Sequence, residues 1–300
     1  MTNKIPLYNI PKENVTLTGF KLYTLKKDKR HNPLFPNIPL NTNIPHRHNF
    51  YEICIFFEGN GYHEIDFKKF EVQNNSLHFI SPGQVHLVSM KGRCQGYIMA
   101  FTREFVEMGP HKKDSLVKLP YFSELSRPFL NLQTEHFKHL TKILKQIKKE
   151  YIHLQPESGE VIRHYLNIFL LKSKMFYRKE NQDKPGKPER PHIYHNFKAL
   201  LELNFHSNQK VQDYANLLGI SPTRLNREVK KSCGLNASEL ILDRITLEAK
   251  RLLVFSDLTN KEIAYQLGYK EPSYFSRIFK KKTNYAPSDF RAVMYEKYQH

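Results

Sequence analysis

The C-terminal third takes its fold from residues 260–291, NKEIAYQLGYKEPSYFSRIFKKKTNYAPSDFR. This stretch contains a short apolar helix, a break at Gly268 and a second helix with arginine on one face and apolar residues on the other. The same layout occurs about fifty residues earlier, in residues 211–234, VQDYANLLGISPTRLNREVKKSCG. Two helices joined by a short glycine-containing turn form a helix-turn-helix. The sequence therefore predicts two such units, which together contact two groove segments of double-stranded DNA.

The second helix of each unit separates polar from apolar side chains, because residues three or four positions apart share a helix face. An arginine on the polar face can donate two hydrogen bonds to guanine, worth about 1–3 kcal/mol of discrimination, whereas lysines at the helix end suit phosphate. A solvated basic face would explain one such helix alone, but two helices in register favour DNA. The predicted DNA-binding residues are Thr223, Arg224, Asn226, Arg227 and Lys230 in the first unit and Ser273, Tyr274, Ser276, Arg277 and Lys280 in the second.

Residues 211–291 resemble the DNA-binding domain of AraC/XylS-type transcription regulators. Two positions depart from the family pattern: Asn284 replaces a glycine after the second recognition helix, and Val229 replaces a common phenylalanine. Asparagine tolerates the left-handed conformation that this turn needs, so we expect the turn to form. The resemblance rests on the motifs Arg244-Ile245, Ala249, Leu252-Leu253, Ile263-Ala264, Leu267-Gly268-Tyr269, Ser273-Tyr274-Phe275-Ser276-Arg277, Phe279-Lys280-Lys281, Pro287 and Phe290-Arg291.

The segment between the two units predicts one long helix over residues 239–255. A helix of this length spans about 25 Å, which would place the two recognition helices near the roughly 34 Å of one DNA turn. Both helices could then enter the same face of a duplex. The apolar side of the predicted long helix carries Leu240, Ile245, Ala249, Leu252 and Leu253.

A proline-rich segment marks the domain boundary. Residues 179–191, KENQDKPGKPERP, contain three prolines among charged residues. Proline prevents a continuous helix and favours an extended, solvated linker. The sequence therefore predicts an N-terminal domain over residues 1–178, a linker over 179–191 and a DNA-binding domain over 192–300.

The spacing of hydrophobic residues changes along the N-terminal domain. Residues 50–101 hold short β-branched and aromatic runs broken by turn residues, which predicts a small antiparallel barrel or sandwich. From about Thr134 the spacing becomes helical, and a second helix follows over about 160–177. These helices either cover the barrel or pair two subunits, and the family resemblance implies the homodimer. The predicted class is α+β and multidomain: a cupin-like β-barrel with a helical hairpin, then an all-α domain of two helix-turn-helix units.

One polar pattern in the barrel indicates a binding site. His46, His48 and Glu52, with a later Pro82-Gly83 and His86, look like the cupin motif. His46 and His48 lie on one strand face by alternation, so with Glu52 and His86 they could bind a divalent metal. In sensor domains of the resembled family the same outline generally marks a pocket for a small effector, which is our prediction for these four residues. We leave metal binding open and predict no bound metal or cofactor.

The pocket wall falls on the strand that contains Tyr51, Ile53, Ile55 and Phe57. The sequence leaves open whether these side chains or their alternating neighbours face the pocket. A metal-dependent cupin enzyme that carries a DNA-binding domain is the alternative function. No catalytic residue is predicted, because phosphate-binding loops, dinucleotide-binding glycine motifs and nucleophile elbows do not occur.

Charge and composition agree with a nucleic-acid partner only weakly. The net charge is +18 and the pI about 9.6. Residues 191–300 hold 17 Lys and Arg against 11 Asp and Glu, so most of the excess lies upstream. The chain has 3 cysteines without metal-type pairing, and we expect them to be reduced. Neither a secretory signal nor a membrane-spanning stretch is predicted, which indicates a cytoplasmic protein.

Taken together, these patterns predict a cytoplasmic, sequence-specific transcription regulator rather than an enzyme. Its expected partners are double-stranded DNA, a small-molecule effector of unknown identity, a second copy of the chain and RNA polymerase. Effector binding in the barrel would change how the dimer presents its DNA-binding domains.

Overall fold

A computed structural model describes residues 7–10, 17–26, 44–108, 116, 119–123, 127–180, 192–207 and 210–299. These residues form two compact units, one within residues 6–185 and one within 186–300. Most of the predicted linker lies outside the described residues. Its first two residues, Lys179 and Glu180, are helical, because the first helix-breaking proline comes only at position 185.

The N-terminal unit contains two antiparallel sheets with a short parallel pair beside them. The five-stranded sheet has the order β10-β7-β4-β9-β2, the three-stranded sheet has the order β6-β5-β8, and β1 pairs with β3. The described strands are β1 (Leu7–Tyr8), β2 (Phe20–Lys26), β3 (Arg47–His48), β4 (Tyr51–Glu58), β5 (Gly61–Ile65), β6 (Lys68–Val72), β7 (Ser76–Ile80), β8 (His86–Met90), β9 (Gln95–Phe101) and β10 (Phe129–Asn131).

Three α-helices accompany these sheets among the described residues: α1 (Arg103–Glu107), α2 (Thr134–Ile152) and α3 (Ser158–Glu180). The predicted apolar stripe of α2 packs on one face of the five-stranded sheet, and α3 joins the same core. The helical hairpin therefore covers the sheet, which is one of the two roles that the sequence left open.

A second core lies between the two sheets. It includes Phe56 and Ile98 from the five-stranded sheet and Ile65 and Val88 from the three-stranded sheet. Strand β4 separates the two cores, because alternate side chains point to opposite faces. Tyr51, Ile53 and Ile55 pack towards the helices, whereas Cys54 and Phe56 face the other sheet. The alternating neighbours therefore line the interior.

The C-terminal unit is helical. Its central element is α7, which begins two residues earlier than predicted, and the predicted apolar side of that helix is buried. The turn after α9 forms at Asn284 with a φ of 66°, as expected for an asparagine in the left-handed region. The described helices are α4 (His192–Asn204), α5 (Val211–Leu217), α6 (Pro222–Cys233), α7 (Ala237–Phe255), α8 (Asn260–Gln266), α9 (Pro272–Thr283) and α10 (Pro287–Gln299).

Helix length and polarity also bear on membrane insertion. Among the helices that the structure describes, none combines the length and the apolar character needed to cross a bilayer.

Candidate DNA-binding surface and sensor site

The two helix-turn-helix units are α5–α6 and α8–α9, and their second helices are built alike. Both α6 and α9 begin with proline in the first turn and end in a residue of left-handed conformation. In α6 the side chain of Ser221 accepts a hydrogen bond from the Arg224 amide at 3.2 Å. Proline supplies a helical φ where no amide donor is needed, so both helices start at defined positions.

The burial of the two helices repeats residue by residue. From residue 221 to 230 and from 271 to 280, the order of buried, half-buried and exposed positions is identical. Leu225 and Val229 are buried in α6, and Phe275 and Phe279 occupy the matching positions of α9. The smaller Val229 thus keeps the inward position where the family often has phenylalanine.

Eight of the ten predicted DNA-binding residues are exposed. They are Thr223, Arg224, Arg227, Lys230, Ser273, Tyr274, Arg277 and Lys280. Asn226 and Ser276 are half-buried and have structural partners: the Asn226 amide oxygen accepts a hydrogen bond from Ala237 at the start of α7, and the Ser276 hydroxyl donates one to Pro272. The exposed set forms one polar face on each second helix.

The two central arginines have different neighbours. The Arg227 guanidinium pairs with Glu228 at 3.2 Å, and the Arg227 side chain is 72% exposed. The Arg277 guanidinium lies 5.8 Å from the centre of the Tyr274 ring, and the residue that follows Arg277 is Ile278 rather than an acid. Since an adjacent carboxylate competes for guanidinium donors, the two units present their arginines differently.

Ion pairs join α4 to α7 in the same unit. Arg244 contacts Glu202 on α4 at 2.8 Å and Glu248 at 3.1 Å, and its guanidinium lies 3.6 Å from the centre of the Phe205 ring. Arg251 also contacts Glu248, at 3.0 Å. Burial raises the pKa of Glu248, but Arg251 and Arg244 lower it by more, so the carboxylate stays charged. Arg244 belongs to the family motif, and the structure gives it a role inside the fold.

The four predicted sensor residues are buried in the N-terminal unit. The backbones of His46 and His86 pair through two hydrogen bonds of 3.0 and 2.9 Å. This pairing brings β8 beside β3, and the side chains of His48, Glu52 and His86 converge there. Their potential ligand atoms all lie within 4.8 Å of one another. The His46 side chain is also buried, and its Nδ1 contacts the carbonyl oxygen of Ile44 at 3.0 Å.

Two further histidines belong to this cluster and were missed from the sequence. His63 on β5 lies 3.0 Å from His86 and 3.2 Å from His78 on β7, measured between ring nitrogens. Both histidines are fully buried. Each lies in a short strand, GYHEI or SLHFI, and its place on the inward face of that strand is the signal that could have found it.

Burial controls the protonation of this cluster. It lowers the pKa of His48 and of His78 to about 3 and moves the pKa of His63 and His86 in the same direction. Burial also raises the pKa of Glu52 to about 7, against a smaller opposing effect of its hydrogen bond from Cys54. Neutral imidazoles present lone pairs, so the cluster offers nitrogen acceptors beside one carboxyl group.

Two family descriptions match separate parts of the chain. An AraC-like ligand binding domain matches residues 38–161, and a helix-turn-helix domain matches residues 214–292. Among curated relatives, the HTH-type transcriptional regulator YfiF of Bacillus subtilis is 23% identical over 265 residues, which cover 83% of this chain and 78% of YfiF. The transcriptional activator RhaS of Escherichia coli is 22% identical over 264 residues, which cover 85% of this chain and 90% of RhaS.

Among solved structures, ToxT from Vibrio cholerae aligns over 92% of this chain and 98% of its own, with 17% identity and a TM-score of 0.41. The two matched domains occur in the order that the sequence predicted, and the curated relatives are transcription regulators. The chain belongs to the AraC family of DNA-binding transcription regulators and carries an N-terminal ligand-binding domain.

Proposed function

We propose that this regulator acts in the cytoplasm as a homodimer, reads DNA sequence through α6 and α9, and responds to a small effector in its N-terminal unit. In this proposal residues 1–178 bind the effector and form the dimer contact. Residues 179–191 link this domain to the DNA-binding domain, which spans residues 192–300. The observation that carries the DNA part is the identical burial of residues 221–230 and 271–280, because it presents two matched polar faces.

Arg227 and Arg277 are the proposed base readers. Each is exposed at the middle of a recognition helix and can donate two hydrogen bonds to a guanine. Arg227 must first break its ion pair with Glu228 to bind DNA, whereas the Arg277 guanidinium lies beside the Tyr274 ring. We therefore expect the α9 unit to discriminate more strongly. Lys230 and Lys280 stand in the last turns, where a point charge suits phosphate.

The test is selection of bound duplexes from a random DNA pool by the purified chain. We expect two short conserved blocks about one DNA turn apart, and blurring of one block alone in Arg277→Ala. Lys280→Ala is the matched control, since it should keep both blocks and lower the slope of log affinity against log salt by about one. Equal loss on every sequence for Arg277→Ala would assign this arginine to phosphate.

The proposed dimer contact is a seam on α3. His164, Ile168, Leu171 and Met175 follow a spacing of four, three and four residues, which places them on one helix face. Ile168 is 44% exposed, and Leu171 and Met175 are each 58% exposed, although the opposite face of α3 is buried. An apolar seam of this spacing suits pairing with the same seam of a second copy.

Sedimentation of the full chain tests this contact. We expect a dimer for the wild type and a monomer for Leu171→Glu, which places a charge in the seam. Lys142→Glu is the control, because it places the same charge at an exposed position of α2, outside this seam, and should leave the dimer intact. A dimer that survives Leu171→Glu would place the contact elsewhere.

The remaining partners follow from the role of a regulator. We propose that the dimer on DNA contacts RNA polymerase and that His46, His48, Glu52 and His86 face the effector pocket. Since the curated relatives are regulators, the N-terminal unit serves sensing and not catalysis in this proposal. Turnover of a substrate by the isolated chain would support the alternative of a metal-dependent enzyme.

A further inference from the structure

We propose that His48, Glu52 and His86 bind one divalent transition-metal ion inside the N-terminal unit. The proposal rests on the sensing role proposed above and deepens it, since it identifies the chemistry that the buried histidine cluster would offer to an effector. Three observations support it: the spacing of the three donors, the unpaired nitrogens that they contain, and the contacts that hold each donor from behind.

The spacing of the donors is close to that of ligands on one ion. His48 Nε2 lies 3.6 Å from Glu52 Oε2, and all three ligand atoms lie within 4.8 Å of one another. Zinc binds nitrogen and oxygen ligands at about 2.0–2.2 Å, so two ligands in a tetrahedral site lie about 3.4 Å apart. Side-chain adjustments of about 1 Å would therefore complete the site.

Two of the donors have no other partner. Within the part of the chain that the structure describes, His48 Nε2 and His86 Nε2 are buried without a hydrogen bond. Leaving a polar atom buried and unpaired costs about 1–3 kcal/mol, so such atoms call for an explanation. A metal ion that accepts both lone pairs satisfies the two nitrogens together. A single water molecule that donates to both nitrogens would compete with the ion for the same position.

The opposite nitrogen of each imidazole is engaged in the way that metal ligands require. His48 Nδ1 donates to the carbonyl oxygen of Phe50 at 2.7 Å, which leaves the lone pair on Nε2. If His86 Nδ1 donates to His63 Nε2, and His63 Nδ1 donates to His78, one consistent arrangement of protons leaves a lone pair on His86 Nε2. Such outer contacts orient metal-binding histidines and strengthen them as ligands.

The carboxylate is held in the same manner. The Cys54 thiol donates to Glu52 Oε1 at 3.2 Å, which leaves Oε2 directed at His48. Two imidazoles and one carboxylate favour zinc, nickel or iron over calcium and magnesium, which prefer oxygen ligands alone. Three protein ligands also leave a coordination position for an oxygen or nitrogen donor of an effector.

The experiment is binding of Zn²⁺ and Co²⁺ to the chelator-treated full chain, measured by calorimetry and by Co²⁺ absorption. We expect one ion per chain in the wild type. Glu52→Gln and His86→Gln, which keep side-chain size, should lower affinity at least as much as the roughly 10–100-fold known for outer contacts. Glu58→Gln is the matched control, because it makes the same chemical change at an exposed carboxylate at the end of β4, six residues from Glu52; its affinity should stay within a few fold of the wild type.

A second measurement does not depend on variants that could misfold. X-ray absorption of the zinc-loaded wild type should show nitrogen and oxygen ligands at about 2.0–2.2 Å, with imidazole scattering. A sulfur ligand near 2.3 Å, an absence of stoichiometric binding, or unchanged affinity in folded Glu52→Gln and His86→Gln would each overturn the proposal. Metal binding is measured without DNA, so a negative result here leaves the DNA selection to judge the proposed function by itself.

Discussion

Acid should destabilise the N-terminal unit through its buried histidines, and His78 gives the cleanest measure of this effect. Burial holds the pKa of His78 at about 3 in the folded chain, whereas the ordinary value is 6.5. Between these two values the unfolded chain binds a proton that the folded chain does not bind. Stability must therefore fall as the pH falls through this window, by about 1.4 kcal/mol per pH unit for each such group.

The cluster contains groups that act in both directions. His48 has the same lowered pKa of about 3, so it adds a second loss of about 1.4 kcal/mol per unit between pH 5 and 4. Glu52 opposes them, because its pKa is raised to about 7 and the folded chain takes up its proton first as the pH falls from 7 towards 4.5. A comparison of two chains that differ only at His78 cancels these other contributions.

The test compares the wild type with His78→Asn, in which the amide keeps a hydrogen-bonding group near the position of Nδ1. Urea unfolding is followed at several pH values between 4 and 6, with chelator present, by pulsed hydrogen exchange of peptides from β4 and β7. We expect the pH slope of the unfolding free energy to be smaller in the variant by about 1.4 kcal/mol per unit. Equal slopes would show that His78 is already protonated in the folded chain and would refute the reasoning.

Substitutions at three further positions test the packing. Glu248→Gln removes the carboxylate shared by two buried arginines, and we expect the C-terminal unit to lose about 3–5 kcal/mol in thermal unfolding followed by circular dichroism. Asn284→Val should lower the stability of that unit by about 1–2 kcal/mol, because the position requires a φ of 66°, whereas Asn284→Gly should unfold at nearly the wild-type temperature. In Gly96→Ala the new Cβ would lie 1.9 Å from the Ile55 carbonyl oxygen, so β9 must move from β4 and both strands should lose protection from hydrogen exchange.

Much of the C-terminal unit could be predicted from local patterns. Helix faces follow from residues three and four apart, and each recognition helix buries apolar residues: Leu225 and Val229 in α6, and Phe275 and Phe279 in α9. The start of α7 was missed by two residues, although its signal is local: Glu239 caps the backbone of Asn236 at 2.7 Å, a capping box in the sequence. For this unit the sequence determined the elements and their inward faces because the interactions that specify them lie within a few residues of one another.

Local sequence patterns predicted only part of the N-terminal site. His48 and Glu52 are four residues apart and could be paired from the sequence, but the inward face of β4 could not, because residues 51–56 are buried on both faces and conceal the strand period. His63 and His78 meet only when strands from different sheets pack together, 15 residues apart in the chain. The sequence by itself determined the family, the two candidate DNA-binding helices and part of the proposed sensor site. Tertiary structure alone decided which side chains share the buried interior, since strand pairing and sheet packing are contacts between residues distant in the chain.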